Sequence, residues 1–125
     1  MPSAKKIPAA KKRAKPSALL ATLRATLEDG QAEDIARIDL RGKSTIADDM
    51  LIASGRSARQ VAALADRVMG ALAGRGQKRV PVEGLKTGDW VLIDAGDVIV
   101  HLFRPEIRER YNLEKMWGAS FDASE

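Results

Sequence analysis

Two segments of the chain place apolar residues at helical spacing. The first begins after Ser17, a residue suited to capping a helix, and ends at Gly30; its apolar positions are Leu19, Leu20, Leu23 and Leu27. The second ends at Gly74 and carries Val61, Leu64, Ala65, Val68 and Leu72. Because this spacing aligns side chains on one helix face, both segments predict helices that pack on a core.

Strand patterns occupy the sequence around the second helix. Residues 36–41 alternate between apolar and charged, which predicts a strand with one polar face near a sheet margin. Residues 50–53 are apolar without alternation, as in an internal strand covered on both faces. The turn Ser54–Ser57 then leads into the second helix, so this region predicts a strand, turn and helix unit.

The C-terminal half predicts further strands and a short helix. Residues 90–93 and 98–103 predict an antiparallel hairpin, because the polar segment 94–97 contains the glycine of a tight turn. Residues 80–84 predict a short edge strand, since Pro81 cannot donate a hydrogen bond. Pro105 suits the first turn of a helix to about Tyr111, and an apolar cluster follows on a terminal turn: Leu113, Met116 and Trp117.

This order of elements predicts a single α/β domain, in which helices pack on a mixed five-stranded sheet. The predicted domain covers residues 18–118. Residues 1–17 form a separate basic arm that is expected to be disordered, because it contains one large aliphatic residue, Ile7, among lysines, alanines and prolines. Residues 119–125 are expected to form a frayed tail.

Charge is distributed unevenly between the arm and the rest of the chain. Of the 21 Lys and Arg residues, six lie in the first 16 positions, where no acid occurs: Lys5, Lys6, Lys11, Lys12, Arg13 and Lys15. The other 15 face 17 acidic residues, so the remainder carries a formal charge of −2. A basic footprint over the folded part is therefore not supported, whereas the arm has two interpretations, contact with RNA phosphates or a solvated tail.

The absence of cysteine excludes disulfides, thiolate metal ligands and a thiol nucleophile. No apolar run approaches the roughly 20 residues of a membrane span, and the N-terminal region lacks the apolar core of a secretion signal. A cytoplasmic protein is expected.

Carboxylates near predicted strand ends are the most enzyme-like feature: Asp48, Asp49, Asp94 and Asp97. With the Ser54–Ser57 turn holding a phosphate, they suggest a small nucleotidyltransferase or nucleotide-binding module that uses magnesium. However, Asp48 and Asp49 are adjacent and should point to opposite faces of a strand, while Asp94 and Asp97 suit a hairpin turn. Helix capping is the favoured interpretation of the Ser54–Ser57 turn.

His101 is the only histidine, so the sequence holds no histidine pair for a zinc site. A lone histidine between Ile99 and Phe103 is more typical of a core or interface residue than of a general base. Trp90, Tyr111 and Trp117 have two interpretations, core packing or, beside neighbouring cations, a protein-binding surface.

Longer motifs extend from Glu33 to Trp117 in one continuous order. They include Ile46-Ala47-Asp48 leading to Ile52-Ala53-Ser54-Gly55, Asp89-Trp90-Val91 leading to the segment 94–101, and the closing segment Tyr111-Asn112-Leu113-Glu114-Lys115-Met116-Trp117. Over roughly residues 18–118 the chain resembles the ribosomal silencing factor family, also called the Iojap family. Asp49 departs from the family pattern, in which this position is commonly aromatic or uncharged and polar.

The resemblance implies a nucleotidyltransferase-like topology without catalysis or a cofactor. It also implies binding to ribosomal protein L-fourteen on the large ribosomal subunit, which sterically blocks association with the small subunit and represses translation when nutrients are scarce. Organellar relatives act in large-subunit assembly, and family members tend to form homodimers when free. By their place in the matched motifs, the expected partner contacts are Trp90, Asp94, Asp97, His101, Tyr111, Glu114, Lys115 and Trp117.

Overall fold

The computed structural model describes residues 17–43 and 45–111, which form three helices and five strands. The helices in this part are α1 (Ala18–Asp29), α2 (Ala58–Gly74) and α3 (Pro105–Tyr111). The strands are β1 (Glu33–Asp39), β2 (Asp49–Ser54), β3 (Val82–Glu83), β4 (Trp90–Asp94) and β5 (Val98–Phe103). These elements confirm the predicted segments, while the basic arm and the predicted terminal cluster lie outside the described residues.

Both long helices begin at a serine whose side chain satisfies a backbone donor. The Ser17 hydroxyl accepts a hydrogen bond from the Leu20 amide at 3.0 Å, and the Ser57 hydroxyl accepts from the Gln60 amide at 3.1 Å. Helix α1 ends at Gly30, as predicted. None of the helices in the described ranges is long and apolar enough to cross a membrane.

The five strands form one mixed sheet in the order β1-β2-β5-β4-β3. Strands β2 and β5 are parallel, and the other neighbours are antiparallel. Strand β1 therefore lies at a margin and β2 is paired on both sides, as the two hydrophobic patterns predicted. The β4–β5 hairpin closes through Gly96, which has φ of 91° and occupies the first central position of the turn, where a positive φ favours glycine.

Helices α1 and α2 cover one face of the sheet and bury apolar residues of all three internal strands: Leu51, Ala53, Val91, Ile93, Val100 and Leu102. The opposite face has a second apolar cluster, to which α3 contributes Ile107 and the loop before β2 contributes Ala47. We call its β4 and β5 portion the aromatic face, formed by Trp90, Leu92, Ile99, His101 and Phe103. The sheet thus has one face under two long helices and another with less cover.

Candidate protein-binding site

Trp90 lies at the start of β4, directly across the hairpin from Phe103. The ring centroids of these residues are 4.8 Å apart, and the Trp90 ring lies 5.9 Å from that of His101. Phe103 is fully buried, whereas Trp90 keeps part of its surface exposed. Phe103 therefore packs against Trp90 from within the sheet, while part of the Trp90 side chain remains exposed on the aromatic face.

His101 fixes the other side of the Trp90 indole. The indole Nε1–H donates a hydrogen bond to His101 Nδ1 at 2.9 Å. Burial lowers the pKa of His101 from 6.5 to about 4, because a charged ring loses its hydration in the sheet. The ring is therefore neutral near pH 7, and with Nδ1 accepting it carries its proton on Nε2.

Leu92 and Ile99 extend the partly exposed surface along the hairpin from Trp90. Asp94 stands at the far end of β4, opposite Ile99, and its carboxylate accepts from the Gly96 amide at 2.9 Å. Asp97 is exposed in the same turn. The structure therefore brings four of the predicted contact residues onto one hairpin: Trp90 lies at the end away from the turn, His101 lies within β5, and Asp94 and Asp97 lie at the turn.

The remaining predicted contacts continue from α3. Tyr111 is the last residue of this helix, but its side chain and the predicted contacts Glu114, Lys115 and Trp117 lie outside what the structure describes, as do the cations of the arm. Helix α3 follows β5 directly, packs Ile107 into the cluster that Trp90 borders and ends at Tyr111.

Two arginines that sequence reasoning did not select hold α3 in place. Arg108 donates to the Asp34 carbonyl at 2.6 Å and to the Ser54 hydroxyl at 3.0 Å, which ties α3 to β1 and β2. Arg104 pairs with Asp89 at 2.8 Å, immediately before Trp90. Their four-residue separation places them near each other on a helical turn, but no sequence signal identified their partners.

The Ser54–Ser57 turn was considered for phosphate binding, but side chains of the protein already accept hydrogen bonds from backbone amides there. Besides the Ser57 cap, the Arg56 amide donates to Gln60 Oε1 at 2.7 Å, and Arg56 pairs with Glu33 at 3.0 Å. Gln60 Nε2 also donates to the Gln31 carbonyl at 3.3 Å. These contacts confirm helix capping as the role of the Ser54–Ser57 turn. The backbone amides of Arg56 and Gln60 are hydrogen-bonded within the protein.

The carboxylates also have structural partners. Asp49 is fully buried, and its oxygens lie 2.9 Å from Arg37 Nη2 and 3.4 Å from Arg41 Nη2. Burial raises the pKa of Asp49, while the hydrogen bond and charge of Arg37 and the charge of Arg41 act in the opposite direction. Asp48 is exposed whereas Asp49 is buried, so these two adjacent carboxylates do not form a shared site. Within the described ranges, no three His, Cys, Asp or Glu side chains group as metal ligands.

The chain is similar to known proteins over most of its length. A model of the family described as ribosomal silencing factor during starvation matches residues 12–125. Ribosomal silencing factor RsfS of Zymomonas mobilis is 53% identical over 103 residues, which are 82% of this chain and 77% of that protein. The mouse protein named mitochondrial assembly of ribosomal large subunit protein 1 is 35% identical over 100 residues, which are 77% of this chain and 44% of that protein.

A solved structure supports the same assignment at the level of the fold. The crystal structure of a protein from Chromobacterium violaceum superposes with a TM-score of 0.77 and 36% sequence identity, covering 82% of this chain and 86% of that one. The sequence matches and the superposition thus agree on one α/β domain. The chain belongs to the family of ribosomal silencing factors.

Proposed function

We propose that this protein binds the large ribosomal subunit through ribosomal protein L-fourteen and thereby prevents the small subunit from joining. The observation that carries the proposal is Trp90, a partly exposed tryptophan that is hydrogen-bonded to His101 on the β4–β5 hairpin, in a chain of the silencing factor family. Occupying a surface that the small subunit needs is sufficient to repress translation. This mechanism requires no bond-breaking residue.

The aromatic face has the composition of a protein-binding surface. Tryptophan is enriched among residues that dominate binding energy, and such residues work best when neighbouring apolar groups exclude water from them. Leu92 and Ile99 are suited to that role because both lie on the same face and are partly exposed. Asp94 and Asp97 add negative charge at the end of the hairpin, which complements a basic ribosomal surface and favours rapid, oriented association.

The C-terminal segment and the basic arm complete the proposed interface. Tyr111 ends α3, and Glu114, Lys115 and Trp117 follow it in the sequence; α3 itself follows β5, the strand that pairs with the Trp90 strand. The six cations of the arm are proposed to contact ribosomal RNA phosphates near the docked domain. The protein contact then supplies specificity, while the arm adds affinity that depends on salt.

The deciding experiment mixes purified protein with separated ribosomal subunits and follows them by sedimentation. The protein is expected to migrate with the large subunit and to reduce the amount of joined ribosomes. Trp90→Ala should weaken both effects, whereas Met69→Ala should not, because Met69 is a partly buried residue of α2 on the opposite side of the sheet. Wild-type protein that remains at the top of the gradient would refute the proposal.

A further inference from the structure

The Trp90 indole is held by two different kinds of contact. Phe103 packs against it with a 31° angle between the rings, and His101 Nδ1 accepts its N–H at 2.9 Å. Ring packing alone allows the indole to slide or tilt, whereas a hydrogen bond to a ring nitrogen is directional. The combination therefore defines the direction in which the exposed edge of the indole points.

His101 is well placed to act as the fixed member of this pair. It lies in the middle of β5, hydrogen-bonded between two strands, with Ile52 and Leu92 as its register partners. Only 5% of its surface is exposed, so it offers a docking protein almost no area of its own. A residue in this position influences a partner chiefly through the side chain that it holds.

We propose that His101 is a positioning residue for docking, whose Nδ1 orients the Trp90 indole for recognition by the large-subunit protein. This inference rests on the proposed function and assigns His101 an indirect role in place of the direct contact expected from the sequence motif. Because the indole is already ordered in the free protein, association does not have to restrict its motion, which preserves affinity.

Two substitutions at His101 distinguish the effect of the hydrogen bond on affinity from the effect of the size of the ring. In His101→Asn, the side-chain oxygen can take the place of Nδ1 as acceptor, whereas His101→Leu is apolar and has no acceptor. Affinity for purified large subunits is expected to fall about three- to tenfold in His101→Leu, the range for loss of one net hydrogen bond, and to fall less in His101→Asn. Equal affinity of His101→Leu and wild type would overturn the inference.

A double-mutant cycle tests whether His101 acts through Trp90. In a Trp90→Ala background, His101→Leu should have no further effect on affinity, because the side chain that it positions is absent. An undiminished effect in that background would show direct contact and overturn the positioning role. Failure of the wild type to bind large subunits would instead refute the proposed function together with the inference that rests on it.

The indole N–H provides a readout that does not depend on the ribosome. In ¹H–¹⁵N spectra of the full chain, the Trp90 signal, identified by its loss in Trp90→Phe, should exchange slowly with solvent in wild type and His101→Asn, and faster in His101→Leu. If His101→Leu does not fold, benzothienylalanine at position 90 replaces the indole N–H by sulfur and should reduce affinity to a similar extent. Unchanged affinity with that residue would equally overturn the proposal.

Discussion

Acid should destabilise this protein through His101 before most carboxylates begin to titrate. The perturbation is a change from pH 7 to pH 5, at which an unfolded chain protonates its histidine with a pKa of 6.5, while the folded protein keeps the ring neutral because burial lowers the pKa to about 4. The unfolded state then binds more protons, so the free energy of unfolding falls as the pH falls.

The size of the effect follows from the two pKa values. For a single group with these values, linkage predicts a loss of about 2 kcal/mol between pH 7 and pH 5, and about 3 kcal/mol by pH 4, with little further change below that. Above pH 6.5 the contribution disappears, since both states are then neutral. The effect is a substantial part of the stability of a domain of this size.

Urea unfolding at a series of pH values, followed by circular dichroism, measures this loss. The matched control is His101→Asn, which keeps a hydrogen-bond acceptor for Trp90 but does not titrate, so subtracting its curve removes the contribution of the carboxylates. The difference between wild type and variant should change by about 2 kcal/mol between pH 7 and pH 5. A difference that does not depend on pH would refute the reasoning, because it would show that His101 titrates alike in both states.

The remaining predictions concern the interface, the buried ion pair, a glycine turn and the arm. Trp90→Ala should reduce affinity for large subunits by more than about 1 kcal/mol in a folded protein, whereas global unfolding in circular dichroism would assign Trp90 to the core. Asp49→Ala should lower the free energy of unfolding by about 3 kcal/mol, because it leaves buried arginine charge without its carboxylate; joint replacement of Asp49 and Arg37 by apolar residues should restore much of that loss in urea titrations. Gly84→Ala should lower the melting temperature much more than Gly96→Ala, since both have positive φ but only at Gly84 would a Cβ overlap with a carbonyl oxygen, that of Trp90; equal losses would contradict this account. Deleting residues 2–16 should flatten the log-log salt dependence of ribosome binding by about 0.7 to 0.9 for each lost phosphate contact, and an unchanged slope would identify a solvated tail.

Asp49 illustrates a contact that the residue pattern does not predict. This residue departs from the family pattern, and in the structure it pairs with two arginines, one from β1 and one from the following turn. Arg37 and Arg41 occupy the polar positions of an alternating strand, which predicts exposure to solvent. Arg37 instead donates a hydrogen bond to the buried carboxylate of Asp49, twelve residues away. This contact depends on the register between β1 and β2.

The candidate site was only partly visible before the strands were paired. Motif position selected Trp90, Asp94, Asp97 and His101, and the hairpin prediction already placed Trp90 and His101 on adjoining strands and the two acids in the turn. The structure then distinguishes Trp90 from His101. Trp90 is partly exposed, whereas His101 is buried and accepts a hydrogen bond from the Trp90 indole N–H. Arg104 and Arg108 escaped selection because a cation that anchors a helix looks, in sequence, like any exposed cation.

The sequence by itself determined the elements, the hairpin and the uneven distribution of charge. These depend on local causes: helical or alternating spacing, a serine that caps a helix, a glycine in a turn, and six cations within one arm. Only the tertiary structure decided that Trp90 rests on Phe103 and bonds to His101, and that Arg108 reaches Asp34 across 74 positions. Such contacts follow from register and from how far burial removes each group from water, and both are properties of the assembled sheet.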